Sequence, residues 1–118
     1  AFLAPVKAAV FPLINDKKME KIAREVFTSL KKEFNVIYDG SGSVGRRYSR
    51  NDEQGTPYCI TCDEESLKGK DVTIRNRDTT EQIRVKISEL TDILRKLISG
   101  GIEFKKAGKL VETRVKEI

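Results

Sequence analysis

The sequence predicts a three-layer α/β domain, a mixed five-stranded β-sheet flanked by three helices. Three observations carry this. Short β-branched stretches alternate with segments of helical period as far as residue 62, the pattern of parallel strands joined by crossover helices. Two alternating strands follow with only four residues between them, which makes an antiparallel hairpin. A last amphipathic segment then runs into a pair of glycines. At 118 residues the chain is one domain, long enough to bury a core without metal or disulfide support. Residues 1–100 carry that domain and residues 101–118 form a tail.

Val6 to Leu13 is apolar and partly β-branched, and Pro12, with no N–H to donate, ends the first strand. Asn15 or Asp16 caps the next helix. Its Met19, Ile22, Ala23, Val26, Phe27 and Leu30 share one face, while Lys17, Lys18, Lys21, Arg24, Lys31 and Lys32 lie mostly off it. Val36 to Tyr38 is a second strand, and Asp39 to Gly45 is a glycine-rich connection. Ser43 to Glu53 reads as a polar helix with Val44 and Tyr48 facing inward, ended by Gly55 and Pro57. Tyr58 to Cys62 and Asp71 to Arg77 are the third and fourth strands, joined through the turn-rich Lys68 to Lys70. Gln82 to Ile87 is the fifth. Ser88 caps a last helix with an apolar stripe of Leu90, Ile93, Leu94, Leu97 and Ile98, stopped by Gly100 and Gly101. In the tail, Lys105 to Lys109 reads as a turn and Val111, Thr113 and Val115 alternate, so this segment adds a small hairpin or frays.

Composition narrows the function. The chain is 38% hydrophobic and 35% charged, and no apolar run approaches the ~20 residues that span a bilayer, so no membrane partner is expected. The chain opens on Ala1 without a signal-peptide pattern, which suggests an excised or processed piece. There is no histidine, which removes the commonest general base and metal ligand. The net charge of +5 suits an anionic partner without identifying one. Cys59 and Cys62 form Cys-x-x-Cys, but in a strand these positions point to opposite faces, and a structural zinc needs four ligands. Free buried thiols are the expected reading, and they suit a cytoplasmic location.

Three constellations bear on binding. Gly40, Gly42 and Gly45 satisfy G-x-G-x-x-G, the dinucleotide fingerprint, yet they follow the second strand and lead into a polar helix, so a plain flexible loop competes with a nucleotide-binding module. In the hairpin, a turn at Asp78 to Glu81 sets Arg75 opposite Arg84, Thr73 opposite Lys86 and Arg77 opposite Gln82. Val72, Ile74, Ile83, Val85 and Ile87 then face the core. Opposed arginines make sense if an anion sits between them; the bland alternative is a solvated face relieved by Asp78 or Glu81. Arg46, Arg47 and Arg50 add cations from the polar helix, and Phe11 and Tyr48 are aromatic groups near them that serve either as core or as platforms for an RNA base.

Taken in order, Ala9 to Leu13, Val36 to Asp39, Gly42 to Tyr48, Asp52 to Tyr58 and Val72 to Asp78 resemble the carboxy-terminal anticodon-binding domain of class II aminoacyl-tRNA synthetases, in particular the archaeal and eukaryotic type of glycyl-tRNA synthetase. The resemblance spans roughly residues 4 to 99. It implies a parent enzyme that attaches glycine to tRNA with ATP and Mg in a separate catalytic domain, as a cytoplasmic protein and possible homodimer, with no cofactor in this domain. This piece lacks the class II catalytic motifs, so its own role is to hold the anticodon loop of glycine tRNA. By the same resemblance Arg75, Arg77 and Asp78 match an Arg-x-Arg-Asp segment able to read cytosine, with Arg84 in the same stripe. Phe11 matches a strand-end position, and Arg46 and Arg47 match a basic helix that contacts phosphate. Histidyl, prolyl and threonyl synthetases carry the same fold, so a different tRNA is the alternative partner.

Overall fold

The computed structural model describes residues 5–111. Its first strand β1 (Ala8–Pro12) is buried at every position. It pairs in parallel with β2 (Val36–Tyr38) on one side and with β3 (Tyr58–Cys62) on the other. A parallel strand covered on both faces reads as an unbroken apolar run, which is why Ala-Ala-Val-Phe-Pro shows no alternation. The two crossovers pass on opposite faces. α1 (Lys17–Leu30) starts where the Asp16 carboxylate accepts the N–H groups of Lys18 at 2.9 Å and Met19 at 3.3 Å, and it buries Met19, Ala23, Val26 and Leu30. α2 (Val44–Gln54) starts at Ser43 and ends at Gly55, whose φ of 81° is the left-handed conformation that glycine adopts without strain.

The remaining elements complete the sheet. α3 (Glu64–Gly69) leads to β4 (Asp71–Asn76), which forms a hairpin with β5 (Gln82–Lys86). α4 (Ile87–Ser99) and a 3₁₀ turn at Phe104–Lys106 then lead to β6 (Lys109–Val111). Among the described residues the sheet has six strands, in the order β2-β1-β3-β4-β5-β6, with every pairing from β3 onward antiparallel. The larger core joins α1 and α4 to one face through Ala8, Val10, Val26, Leu30, Ile60, Ile74, Ile83 and Leu94; the smaller joins α2 to the other through Ala9, Phe11, Tyr48 and Cys59. No helix among the described residues is long and apolar enough to cross a membrane.

The mixed sheet, the succession of its first five strands along the chain and the three long helices match the sequence reading; four details differ. The sequence reads as a turn only at Lys68 to Lys70, whereas residues 64–69 form α3, opened by a capping box in which the Asp63 and Ser66 side chains each bond the other's backbone N–H. The last helix begins at Ile87 behind Lys86, without a side-chain cap, so Ser88 lies inside it. The hairpin turn is Arg77 to Thr80, closed by the Asn76 N–H on the Glu81 carbonyl at 2.9 Å. This moves the register by two: Arg75 faces Gln82 and Thr73 faces Arg84, so the expected arginine pair does not form. A shift of two preserves the faces, and Val72, Ile74, Ile83 and Val85 are buried as expected. Finally, part of the tail joins the sheet as β6, held tightly against β5. A Cβ on Gly108 would lie 2.7 Å from Val85 Cγ1 and 2.8 Å from the Arg84 carbonyl oxygen, so only glycine fits. Thr113 and Val115 lie outside the described residues.

Candidate nucleic-acid interface

Because α1 leaves β1 on one face and α2 leaves β2 on the other, the carboxyl ends of the parallel strands form a topological switch point, the place where open α/β sheets leave a crevice. Its rim is made of Pro12 to Asn15, the loop from Asp39 to Gly42, the start of α2, and Asp63.

Arg47 organises this end. It is 1% exposed, and its guanidinium reaches the carbonyl oxygens of Pro12 (2.5 Å), Ser41 (3.2 Å), Gly40 (3.1 Å) and Gly42 (2.8 Å) and the Asn15 side-chain oxygen (2.9 Å). Burial pulls its pKa down while the Asp39 charge pushes it back. The same contacts decide the glycine-rich loop. Its carbonyls converge on a cation, and the Ser41 and Arg46 N–H groups are taken by Asp39 and Ser43, so the loop does not offer the amide cradle that a dinucleotide phosphate requires. Arg50 holds Asp39 through two bonds of 3.0 and 2.7 Å, and Asn51 adds a third at 3.3 Å. Burial raises the Asp39 pKa, but these donors outweigh it and hold the carboxyl below the usual aspartate value.

The stripe of cations on the hairpin is neutralised from within. Arg84 bonds both oxygens of Asp63 (2.7 and 3.2 Å) and one of Asp71 (2.7 Å), which raise its pKa against the opposing effect of burial. Arg75, 1% exposed, forms a two-pronged pair with Asp52 at 2.9 and 3.2 Å and lies 4.9 Å from the centre of the Tyr48 ring. Tyr48 meets Phe11 edge to face at 5.3 Å and shares a 2.9 Å hydroxyl bond with Thr61. Phe11 is 0% exposed, so in this arrangement it offers no ring face for a base to stack on.

Of the seven sequence-predicted residues, the structure gathers Phe11, Arg46, Arg47 and Arg84 at the carboxyl ends of the parallel strands, and only Arg46 among these is exposed. Arg77 and Asp78 sit on the hairpin turn at the opposite end, beside Gly55, about 14 Å from Arg46 along the axis of α2. They pair with each other at 3.1 Å. Arg75 lies between the two ends, under Tyr48. Asp39, Asp63 and Asn15 were not singled out by sequence reasoning. The Asp-x-x-Ser spacing of a capping box was the available signal for Asp63. Cys59 and Cys62 form no disulfide and are buried in the two different cores, and burial, helped by Asp63, pushes the Cys62 thiol up to about 12. No cluster of three metal-ligating side chains occurs among the described residues.

Comparison with known families decides what this arrangement belongs to. The anticodon binding domain family matches residues 7–97. The chain belongs to that family. This anticodon-binding domain is 59% identical over 88 residues to a glycine–tRNA ligase of Rhodopirellula baltica, covering 75% of the chain and 16% of the relative. It is 54% identical over 99 residues to one of Thermococcus sibiricus, covering 83% and 17%. The prolyl-tRNA synthetase of Cryptosporidium parvum solved with halofuginone and AMPPNP shares the fold, with a TM-score of 0.76 and 26% identity over 82% of this chain and 21% of that one. The anticodon-binding domain thus spans about a sixth of the length of these two glycine–tRNA ligases.

Proposed function

We propose that this anticodon-binding domain grips the anticodon loop of glycine tRNA on behalf of a glycine–tRNA ligase, at the crevice formed by the carboxyl ends of β1, β2 and β3. The observation that carries the glycine assignment is the 54 to 59% identity with two glycine–tRNA ligases, against 26% with a prolyl enzyme of the same fold. On this reading, activation of glycine with ATP and Mg takes place in a catalytic domain outside this chain, in a cytoplasmic and homodimeric enzyme. Arg46, exposed at the crevice rim and without an ion pair among the described residues, supplies phosphate contact. A second location for base reading is the hairpin turn, favoured by the 76% exposure of the Asp78 side chain beside the Arg77 guanidinium. That is a carboxylate and a donor able to complement a cytosine edge.

Titration against anticodon stem-loops tests both. The glycine loop should bind more tightly than loops with its two cytosines replaced, and more weakly as salt rises. Arg46→Ala should weaken every loop alike and reduce the salt slope by about 1. Selective loss of cytosine preference in Asp78→Ala, by about 1 to 3 kcal/mol, would move the reading to the hairpin; an unchanged preference keeps it at the crevice. Equal affinity for all loops would refute the assignment.

A further inference from the structure

Among the described residues, only Arg24 and Arg46 of the arginines lack a carboxylate or carbonyl partner. Arg24 is nonetheless held in place. Its guanidinium lies 4.2 Å from the centre of the Tyr38 ring, and that ring is fixed by an edge contact with Phe27 at 6.2 Å. Gly40 lets the following loop lie against the same ring, since a Cβ there would come within 3.1 Å of it. The pair opens onto a concavity of about 360 Å³ lined by Asn15, Glu20, Arg24, Tyr38, Gly40 and Ser41. Tyr38 ends β2, so this hollow lies at the same end of the sheet as the crevice, and Asn15 borders both. Lys17 and Lys21 stand with Arg24 on the exposed side of α1, Lys31 follows as its C-cap, and none of the three lysines has an ion pair among the described residues.

We infer that the Arg24–Tyr38 stack is a second nucleobase seat, which takes a base of the RNA loop outside the pair of bases read at the crevice. The inference rests on the reading of this domain as an anticodon binder. A guanidinium held over an aromatic ring keeps its outer, planar face open to a base, which can stack there without regard to sequence. Glu20 offers acceptors and the Asn15 amide nitrogen a donor to the edge of that base, because the Asn15 oxygen is already taken by Arg47. The lysines of α1 then lie where the adjoining phosphates run. The sequence places these cations mostly off the apolar face, and only the fold shows that Arg24 lies over an aromatic ring without a counter-ion.

The test uses the whole chain and glycine anticodon stem-loops carrying 2-aminopurine at each loop position in turn. With the wild-type protein, one position outside the two cytosines should lose fluorescence on binding. Arg24→Ala should abolish that loss and weaken binding about tenfold, while Arg24→Lys, which keeps the charge but not the plane, should keep the salt dependence and still lack the quenching. An Arg24→Ala protein with the wild-type quenching pattern would overturn the seat and leave the anticodon reading standing. So would Arg24→Lys restoring full quenching, since charge alone would then be enough. A wild-type protein that binds the glycine loop no better than an unrelated hairpin would remove the anticodon reading itself, and the seat with it.

Discussion

At the carboxyl ends of β1, β2 and β3, the Arg47 guanidinium reaches five oxygen acceptors; at the β4–β5 turn, Arg77 leans on the carboxylate of the very next residue. The first arginine ties the loops after β1 and β2 to α2, and the side chain of the second could be removed without disturbing anything else. What separates them is the supply of acceptors. A switch point brings strand ends and loops together with their main-chain carbonyls, so a buried cation there satisfies several groups at once, sharing only the Ser41 carbonyl with Arg50. A hairpin tip faces water, where a pair between neighbours gains little.

The largest expected effect follows from that difference. Arg47→Ala should destabilise the fold by about 3 kcal/mol or more in urea unfolding, because it orphans the buried Pro12 carbonyl, takes the shared donor from the Gly40 and Gly42 carbonyls and empties the space of a large buried side chain. Arg47→Lys should recover only part of it, since an ammonium cannot span the same acceptors. Asp63→Asn should come next, at about 2 to 3 kcal/mol, as it removes the charge that Arg84 grips and weakens the cap of α3. Acid provides a third measure. Asp39 holds its proton less tightly in the folded state than in the unfolded chain, so its pairing stabilises the fold above pH of about 4 and is lost as pH falls through the lowered native value. Asp39→Asn should therefore flatten the fall in stability between neutral and acid pH. The smallest effect belongs to the hairpin: Arg77→Ala should lie within about 0.5 kcal/mol of wild type. A loss there as large as that of Arg47→Ala would erase the contrast between the two ends.

The same contrast explains what was legible in the sequence. α1, α2 and the hairpin strands were readable because their signals are local: the apolar spacing of Met19 to Leu30, the glycine at 55, the alternation around Ile74 and Ile83. The register was less so, since Arg77 could continue β4 or open the turn. The choice falls to Asn76, whose side-chain oxygen accepts the N–H groups of Asp78 at 2.9 Å and Thr79 at 3.3 Å and whose carbonyl accepts that of Thr80 at 2.8 Å, while Arg77 still donates its N–H to the Pro57 carbonyl on the β3 side. α3 is six residues long and presents no apolar periodicity to detect, only its cap. The site was hardest. Sequence counts the charge of Arg47, Arg75 and Arg84 but cannot see that carbonyls or carboxylates from distant segments absorb it. It gives no sign that Arg24, on a helix rich in lysine, is the cation left stacked and uncompensated.

Gly108 has a consequence for how this polypeptide behaves among its own kind. By letting β6 press against β5, it hides hydrogen-bonding groups of the ladder that would otherwise face solvent as an open seam, inviting another copy to dock there. A version cut after Ser99 would retain β1 to β5 and the four helices, span the residues of the family match, and still be prone to clump. The short strand is thus a guard on solubility, built from three residues and one missing methyl group.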